Sequence, residues 1–212
     1  RSFPGRGIVR VLLISPFFIM PAVNAVLWIN MILDPVLGLN GLAVAGINDL
    51  VVGLREFPVI GQFFSMWPEL KPISFRASQT SAYAVIMMVT WQWTPFAVLI
   101  FMTSLQSEDE SQKEAAMLDG ASAWSQFINL TVPHLARPIA IVVMIQSIFH
   151  LSLYAEIEIV SRGNGNKNLP YLIGEFTSNN IGAASATGIF AVILANIIAI
   201  FLLRMVGKSL MD

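Results

Sequence analysis

The chain has 212 residues, of which 56% are hydrophobic and only 12% are charged. A soluble domain carries about 25% charged residues, so this composition predicts a membrane protein. The 12 basic and 13 acidic residues nearly cancel, which argues against a nucleic-acid-binding surface. The sequence contains no cysteine, which excludes disulfides, thiolate catalysis and cysteine-ligated metal sites.

Four intervals without Asp, Glu, Lys or Arg locate the predicted transmembrane helices: residues 11–33, 77–107, 138–155 and 176–203. Roughly 17–25 helical residues cross the hydrocarbon core of a bilayer. A charge at its centre would cost about 2.5–3.5 kcal/mol. Helices are expected because lipid offers no partner to unpaired backbone groups. We therefore predict spans near residues 9–32, 80–105, 138–158 and 183–205.

The order of these spans sets a topology. The uncharged run from Pro35 to Asn48 is too short to cross the membrane, so four spans remain. Both termini and the segment 106–137 then lie on one side, with seven of the 12 basic residues. This excess favours the cytoplasm for that side. The predicted fold is an all-α membrane protein, a polytopic transmembrane helix bundle in a single domain over residues 1–212.

Polar and aromatic residues recur near the centres of the spans, where transporters place their substrate sites. In chain order they are Phe17, Pro21, Asn24 and Trp28, then Trp91, Gln92, Trp93, Thr94 and Phe96, then Gln146, His150 and Tyr154, and finally Asn196. Hydrogen-bonding groups beside aromatic planes suit a sugar, whose hydroxyls lie in the ring plane while its C–H faces stack. The alternative is hydrogen bonding between helices, which also uses Asn, Gln and His in membranes. For Asn196 we favour that alternative.

The segment 106–137 contains the polar stretch EAAMLDGASAWSQFINLTVP, residues 114–133. Helix-forming residues with acidic side chains at the start predict a helix over 107–118. Gly120 can end this helix, because glycine accepts the backbone angles of a C-terminal cap. Ser122 can cap a second short helix, which we expect to end at Pro133, with Pro138 opening the next span. The segment is thus predicted to be a helix-turn-helix outside the bilayer, a shape that suits docking to another protein.

The spacing of Glu114-Ala115-Ala116, Gly120 and Leu130-x-Val132-Pro133 resembles the "EAA" coupling loop of binding-protein-dependent ABC importers. The flanking spans resemble the carbohydrate-importing permeases of the maltose type, through Arg10 to Phe17 and through Trp91-Gln-Trp-Thr-Pro95-Phe96. The resemblance runs across essentially all 212 residues. One departure is Ser161-Arg-Gly-Asn-Gly165, where the family often has Thr-x-Gly-Gly-Pro.

The resemblance implies a transport subunit without enzymatic activity, catalytic residues, metal or cofactor of its own. Its expected partners are a second homologous permease, an ATPase dimer that binds ATP and Mg²⁺, a periplasmic substrate-binding protein and the lipid bilayer of the inner membrane. Two further spans would precede Arg1. The residues expected to couple the cytoplasmic loop to the ATPase are Glu114, Ala115, Ala116, Asp119, Gly120, Ala121, Phe127 and Pro133. Those expected to bind substrate are Phe17, Pro21, Trp91, Gln92, Phe96, Gln146, Phe149 and His150. Asn24 is a further candidate because it lies near the centre of the first span.

Several alternatives remain at this point. A neutral sugar or polyol is favoured, but an acidic or sulfonated sugar derivative could use His150, Arg162 or Lys167 as an anion partner. An ion-coupled secondary transporter would want buried carboxylates, which the charge-free intervals lack. A membrane enzyme is disfavoured because Gly207-Lys208-Ser209 has Leu202 where a phosphate-binding loop needs glycine. A scaffold subunit without a substrate site is the remaining alternative.

Overall fold

A computed structural model describes residues 5–58 and 60–211, with the backbone alone at residue 6 and residues 205–211. The other residues of the predicted domain, 1–4, 59 and 212, lie outside this description, and so does the side chain of Lys208. All regular structure in the described residues is helical, which confirms the predicted class. The α-helices are α1 (Arg6–Ile14), α2 (Pro21–Leu27), α3 (Leu39–Arg55), α4 (Gly61–Ser65), α5 (Ser81–Gln106), α6 (Glu110–Leu118), α7 (Ala123–Gln126), α8 (Val132–His150), α9 (Ala155–Ser161), α10 (Leu169–Asn179) and α11 (Ile181–Met211). A 3₁₀ turn follows α1 at Ser15–Phe18, and π-helical turns lie at Trp28–Ile32 and Phe127–Thr131.

Three continuous helical stretches are long and apolar enough to cross a membrane: Ser81–Gln106, Ala123–His150 and Ile181–Arg204. A fourth span exists if the consecutive segments Gly7–Phe18 and Pro21–Ile32 are counted together. The prediction of four spans agrees with this count over the described residues. Helix α3 is not among them, as expected from the short uncharged run at its start.

The first predicted span is interrupted at residues 19 and 20 instead of running straight from 9 to 32. Pro21 is the first residue of α2, and Met20 before it has an extended backbone with ψ 139°. A proline ring inside a helix would clash with the carbonyl four residues earlier, here that of Phe17. It also disfavours helical angles at the residue before it. The break therefore lies immediately before this proline.

The predicted bounds of the third span, 138–158, are wrong at both ends. Pro133 does not end the loop's second helix, because α7 continues through the π-helical turn Phe127–Thr131 into α8. A widened turn immediately before a proline gives its ring room without ending the helix. At the other end the helix stops at His150, where the Ser152 hydroxyl donates to the Phe149 carbonyl at 2.7 Å. The predicted stripe Gln146, His150 and Tyr154 therefore does not continue to Tyr154.

The chain forms two compact units. The first comprises residues 1–18, 90–153 and 172–212, and in it α8 packs along α11. None of the apolar window of α11 between Ile181 and Arg204 is buried within the chain. Its surface is therefore available to lipid or to another subunit.

The second unit comprises residues 19–89 and 154–171, and in it α2 packs against α9 and α3 against α4. The glycine-rich turn after α9 is fastened within this unit. The Ser161 hydroxyl donates to Asn166 Oδ1 at 2.6 Å, and the Ser81 hydroxyl lies 3.1 Å from the Asn164 carbonyl. Gly165 has φ +85°, and a Cβ there would overlap the backbone of Ser78. Only glycine fits this close approach.

Candidate functional site

The loop that the sequence singles out is a helix-turn-helix built from two local caps. At the end of α6, Gly120 has φ +78°, its N–H bonds to the Met117 carbonyl at 3.1 Å, and the Ala121 N–H bonds to Ala116 at 2.9 Å. This pair of bonds is a Schellman motif with glycine in the left-handed position. At the start of α7, the Ser122 hydroxyl accepts from the Ser125 N–H at 3.2 Å. Both caps were predicted, because each depends only on neighbouring residues.

The outer surface of this helix-turn-helix is apolar and exposed. Leu118 is 89% exposed and Trp124 is 72% exposed, and Met117, Phe127 and Ile128 are exposed as well. The rings of Trp124 and Phe127 stack with their centroids 5.7 Å apart. Exposed apolar patches of this kind mark sites of interaction with other proteins or membranes. Among the predicted coupling residues, Glu114, Ala115, Asp119, Gly120 and Pro133 are exposed, and Ala116 and Ala121 are partly buried.

The base of the loop is closed by a buried carboxylate. Glu108 follows α5, and its side chain is only 6% exposed. Its Oε2 pairs with Lys113 Nζ at 2.9 Å, and its Oε1 accepts a hydrogen bond from the Thr131 hydroxyl at 2.8 Å. The neighbouring Lys113 ammonium is the main cause that lowers the pKa of Glu108 below its ordinary value of 4.5. About one helical turn after Thr131, His134 Nε2 lies 2.8 Å from the Ser104 carbonyl and donates to it.

An aromatic cluster forms in the first unit around Trp93. Its ring centroid lies 5.0 Å from that of Phe149, 5.3 Å from that of His150 and 5.6 Å from that of Phe17. Phe96 stacks on Phe17 at 6.0 Å. The side-chain amide of Gln146 donates to the Trp93 carbonyl at 3.4 Å. Five predicted substrate residues, Phe17, Phe96, Gln146, Phe149 and His150, therefore surround one tryptophan.

A cavity of about 300 Å³ lies beside this cluster. Its lining consists of Thr90, Trp93, Thr94, Ala97, Val98, Phe101, Gln146 and His150. It offers two hydroxyls, one amide and one imidazole among apolar walls, and no acidic or basic side chain other than the imidazole. Among the described residues, His150 Nδ1 is buried without a hydrogen-bond partner. The volume is at the lower end of the roughly 300–1,000 Å³ of ligand pockets.

The remaining predicted substrate residues lie elsewhere. Trp91 is 40% exposed and Gln92 is buried, and neither lines the cavity, because consecutive residues on α5 point about 100° apart. Pro21 and Asn24 belong to the second unit. There Asn24 is fully buried and its side-chain amide donates to the Met88 carbonyl at 3.3 Å. This contact is a helix-packing hydrogen bond, the alternative considered for such residues.

Trp93 is at the centre of the cluster, although the family resemblance does not include it among the expected substrate residues. Thr90, Trp93, Thr94, Ala97 and Phe101 recur at three- and four-residue spacing, so they form one face of α5. That periodicity separates the face with Trp93 from the face with Trp91, but the packing of the helices decides which face meets the cavity. The Glu108 contacts carried no comparable signal, since Thr131 is remote from Glu108 in the chain.

A family profile matches residues 4–212, nearly the whole chain, and its members are described as the inner membrane component of binding-protein-dependent transport systems. The chain belongs to this family. The resemblance read from the EAA loop and the flanking spans is thereby confirmed, as is the prediction of a multi-pass inner membrane protein.

The permease is similar to the inner membrane ABC transporter permease protein YcjO of Escherichia coli (strain K12), with 30% identity over 132 residues, 59% of this chain and 45% of that protein. It is 33% identical to the lactose transport system permease protein LacF of Rhizobium radiobacter over 81 residues, 38% of this chain and 27% of that protein. The chain thus spans less than half the length of either relative.

A solved structure shares the fold of the permease. It is the crystal structure of a bacterial ABC transporter involved in the import of the acidic polysaccharide alginate, with a TM-score of 0.74 at 20% identity. The match covers 98% of this chain and 68% of that chain.

Proposed function

We propose that this chain is the membrane-spanning permease subunit of an ATP-driven importer for a neutral sugar or polyol. In this proposal a periplasmic binding protein delivers the substrate, a second permease completes the pathway, and ATP and Mg²⁺ bind to an ATPase dimer that contacts residues 106–137. The chain itself performs no hydrolysis. The relatives above, whose names include a lactose transport permease, support the carbohydrate class.

The observation that carries the proposal is the exposed helix-turn-helix. A rigid cap at Gly120 presents Leu118 on one side of the turn and Trp124 on the other, and neither is covered by the chain. Stacked exposed aromatics suit insertion into a groove of a partner, where they would act as anchors. The resemblance of the loop to the EAA coupling loop supports the ATPase of the transport system as this partner.

The cavity beside Trp93 supports the neutral substrate. Gln146, Thr90 and Thr94 supply donors and acceptors for hydroxyl groups, and Trp93 supplies a ring face for stacking. A carboxylated or sulfonated sugar would require a cation there to offset its desolvation. His150 is the one candidate for that role. An acidic derivative is therefore the second possibility to be tested, and the alginate importer with the same fold keeps it open.

The test is substrate-stimulated ATP hydrolysis and uptake by the complete transporter in proteoliposomes. Neutral sugars, polyols and sugar acids are supplied with the binding protein, after calorimetry has found which of them that protein binds. We expect a neutral carbohydrate to stimulate hydrolysis and uptake, and Gln146→Leu to raise its half-saturating concentration. The matched control is Asn196→Leu on α11, because the amide of Asn196 donates to the Val192 carbonyl of its own helix at 2.8 Å.

Three results would contradict the proposal. Stimulation by sugar acids alone would show that the substrate belongs to the acidic class and not to the neutral one. No response to any carbohydrate would overturn the substrate class. Equal effects of Gln146→Leu and Asn196→Leu would remove the cavity from the site.

A further inference from the structure

The Glu108 contacts described above join three elements that the coupling function must move together. Glu108 lies two residues after the end of α5, Lys113 is in α6, and Thr131 is in the π-helical turn that leads into α8. One carboxylate therefore bridges the end of one span, the first loop helix and the beginning of the next span. The hydrogen bond between His134 and the Ser104 carbonyl also joins the two ends of the loop, but it does not involve α6.

The geometry of this carboxylate is that of a fixed contact. The side chain of Glu108 is 6% exposed, and its two oxygens have different partners at 2.9 and 2.8 Å. A charged group with so little solvent is stable only while it is paired and hydrogen-bonded. Leaving either partner would therefore be costly, which holds α6 and the π-helical turn in one arrangement.

The exposed patch of the loop is separate from these contacts. Trp124 and Leu118 are exposed, whereas Glu108 and Thr131 are not, so a partner bound to the patch need not touch the carboxylate. A force applied at Trp124 reaches the spans without loss only if the loop does not bend at its base. Packed and hydrogen-bonded elements carry such displacements because they do not deform continuously.

We propose that Glu108, with Lys113 and Thr131, is a positioning clasp that makes residues 108–131 move as a rigid lever, so that ATPase motion is transmitted to α5 and α8. The inference rests on the proposed function, since it holds that the clasp determines how efficiently ATP hydrolysis is coupled to import. The clasp contacts neither substrate nor nucleotide. Its loss is expected to separate ATP hydrolysis from import instead of abolishing binding of the ATPase.

The experiment compares Glu108→Gln with wild type in the complete transporter reconstituted into proteoliposomes. Glutamine keeps the shape and can still accept from Thr131, but it removes the charge that pairs with Lys113. We expect ATP hydrolysis to stay within about twofold, while the number of substrate molecules imported per ATP falls about three- to tenfold, the scale of one ordinary intramolecular hydrogen bond. A variant that merely folds poorly would lower both rates in proportion to the amount of complex.

Two further variants separate the clasp from a general effect of charge. The matched control is Glu110→Gln, which removes the same charge at an exposed neighbouring position and should leave the import per ATP unchanged. The exchange of Glu108→Lys with Lys113→Glu restores the pair with reversed charges and should recover at least half of the lost coupling. An unchanged ratio in Glu108→Gln, an equal loss in Glu110→Gln, or no recovery in the exchange variant would each overturn the proposal.

Thr131→Val decides the matter if the Glu108 variants do not assemble, because it replaces a hydroxyl by a methyl group of similar size. A wild-type ratio in this variant overturns the clasp, and a lowered ratio with retained hydrolysis supports it.

A distance measurement tests the clasp independently of transport. If the wild-type complex imports no substrate, the proposed function has failed, but this measurement still shows whether the clasp holds the loop rigid. Spin labels are placed at Gln112→Cys on α6 and Ala136→Cys on α8, both exposed, in a chain that has no other cysteine. We expect a narrow distance distribution in wild type and a broader one in Glu108→Gln. Equal widths would overturn the rigid lever.

Discussion

Replacing Gly120 changes the angle of the loop without changing any side-chain contact. Its φ of +78° lies in the left-handed region, and a Cβ added there would meet no atom within 4 Å. The cost of Gly120→Ala is therefore backbone strain alone, about 1–2 kcal/mol. This corresponds to a change of about 5- to 30-fold in the population of the capped turn. Asparagine tolerates this region better, and a β-branched residue tolerates it worse.

The capped turn should therefore be weakened least by Gly120→Asn, more by Gly120→Ala and most by Gly120→Val. This weakening is measured as the affinity of the permease for the ATPase and as hydrogen exchange of the Ala121 amide, which bonds to Ala116 in the capped turn. The matched control is Gly46→Ala in α3, which also has open space around it and no positive φ. Alanine there should be neutral or slightly stabilising, by up to about 1 kcal/mol. If Gly120→Val bound the ATPase and protected Ala121 like wild type, the left-handed cap would not set the angle of the loop.

Three further outcomes are expected. Ser122→Ala should cost about 1 kcal/mol of α7 stability, seen as faster exchange of the Ser125 amide, because the hydroxyl cap is lost; unchanged exchange would contradict the cap. Asn24→Ala should lower the thermal midpoint in detergent, since about 1 kcal/mol of a buried hydrogen bond is removed, whereas Asn196→Ala should not; equal midpoints for the two would argue against the packing role. The stabilisation that ionised Glu108 gives the loop should be fully present above its ordinary pKa of 4.5 and be lost as the pH falls through its lowered pKa. The difference in the width of the label-distance distribution between wild type and Glu108→Gln should thus be constant from about pH 7 to 5 and shrink in stronger acid. A difference that vanished near pH 6 would refute this assignment.

Predictions from the sequence were accurate wherever a short stretch decides its own structure. The spans at Ser81–Gln106 and Ile181–Arg204 follow from uncharged intervals, since a long uncharged stretch tolerates lipid when its backbone groups are hydrogen-bonded within a helix. The caps at Gly120 and Ser122 follow from backbone and side-chain preferences that act over three to five residues. The roles assigned to the coupling and substrate residues stay predictions.

Predictions failed where two local preferences compete. Pro133 was expected to end a helix and Pro21 to lie within one, yet the first is absorbed behind a π-helical turn and the second starts a new helix. Proline restricts the chain in both places. Whether the helix widens or breaks is settled by how its flanks pack, which the proline alone does not encode.

The sequence by itself therefore determined a membrane protein with an exposed, capped helix-turn-helix, because solvation and local backbone preference need no distant partner. Only the tertiary structure decided that Trp93 is the centre of the aromatic cluster and that Glu108 meets Thr131. Both depend on contacts between residues far apart in the chain, made only when α5 and α8 are packed at one register.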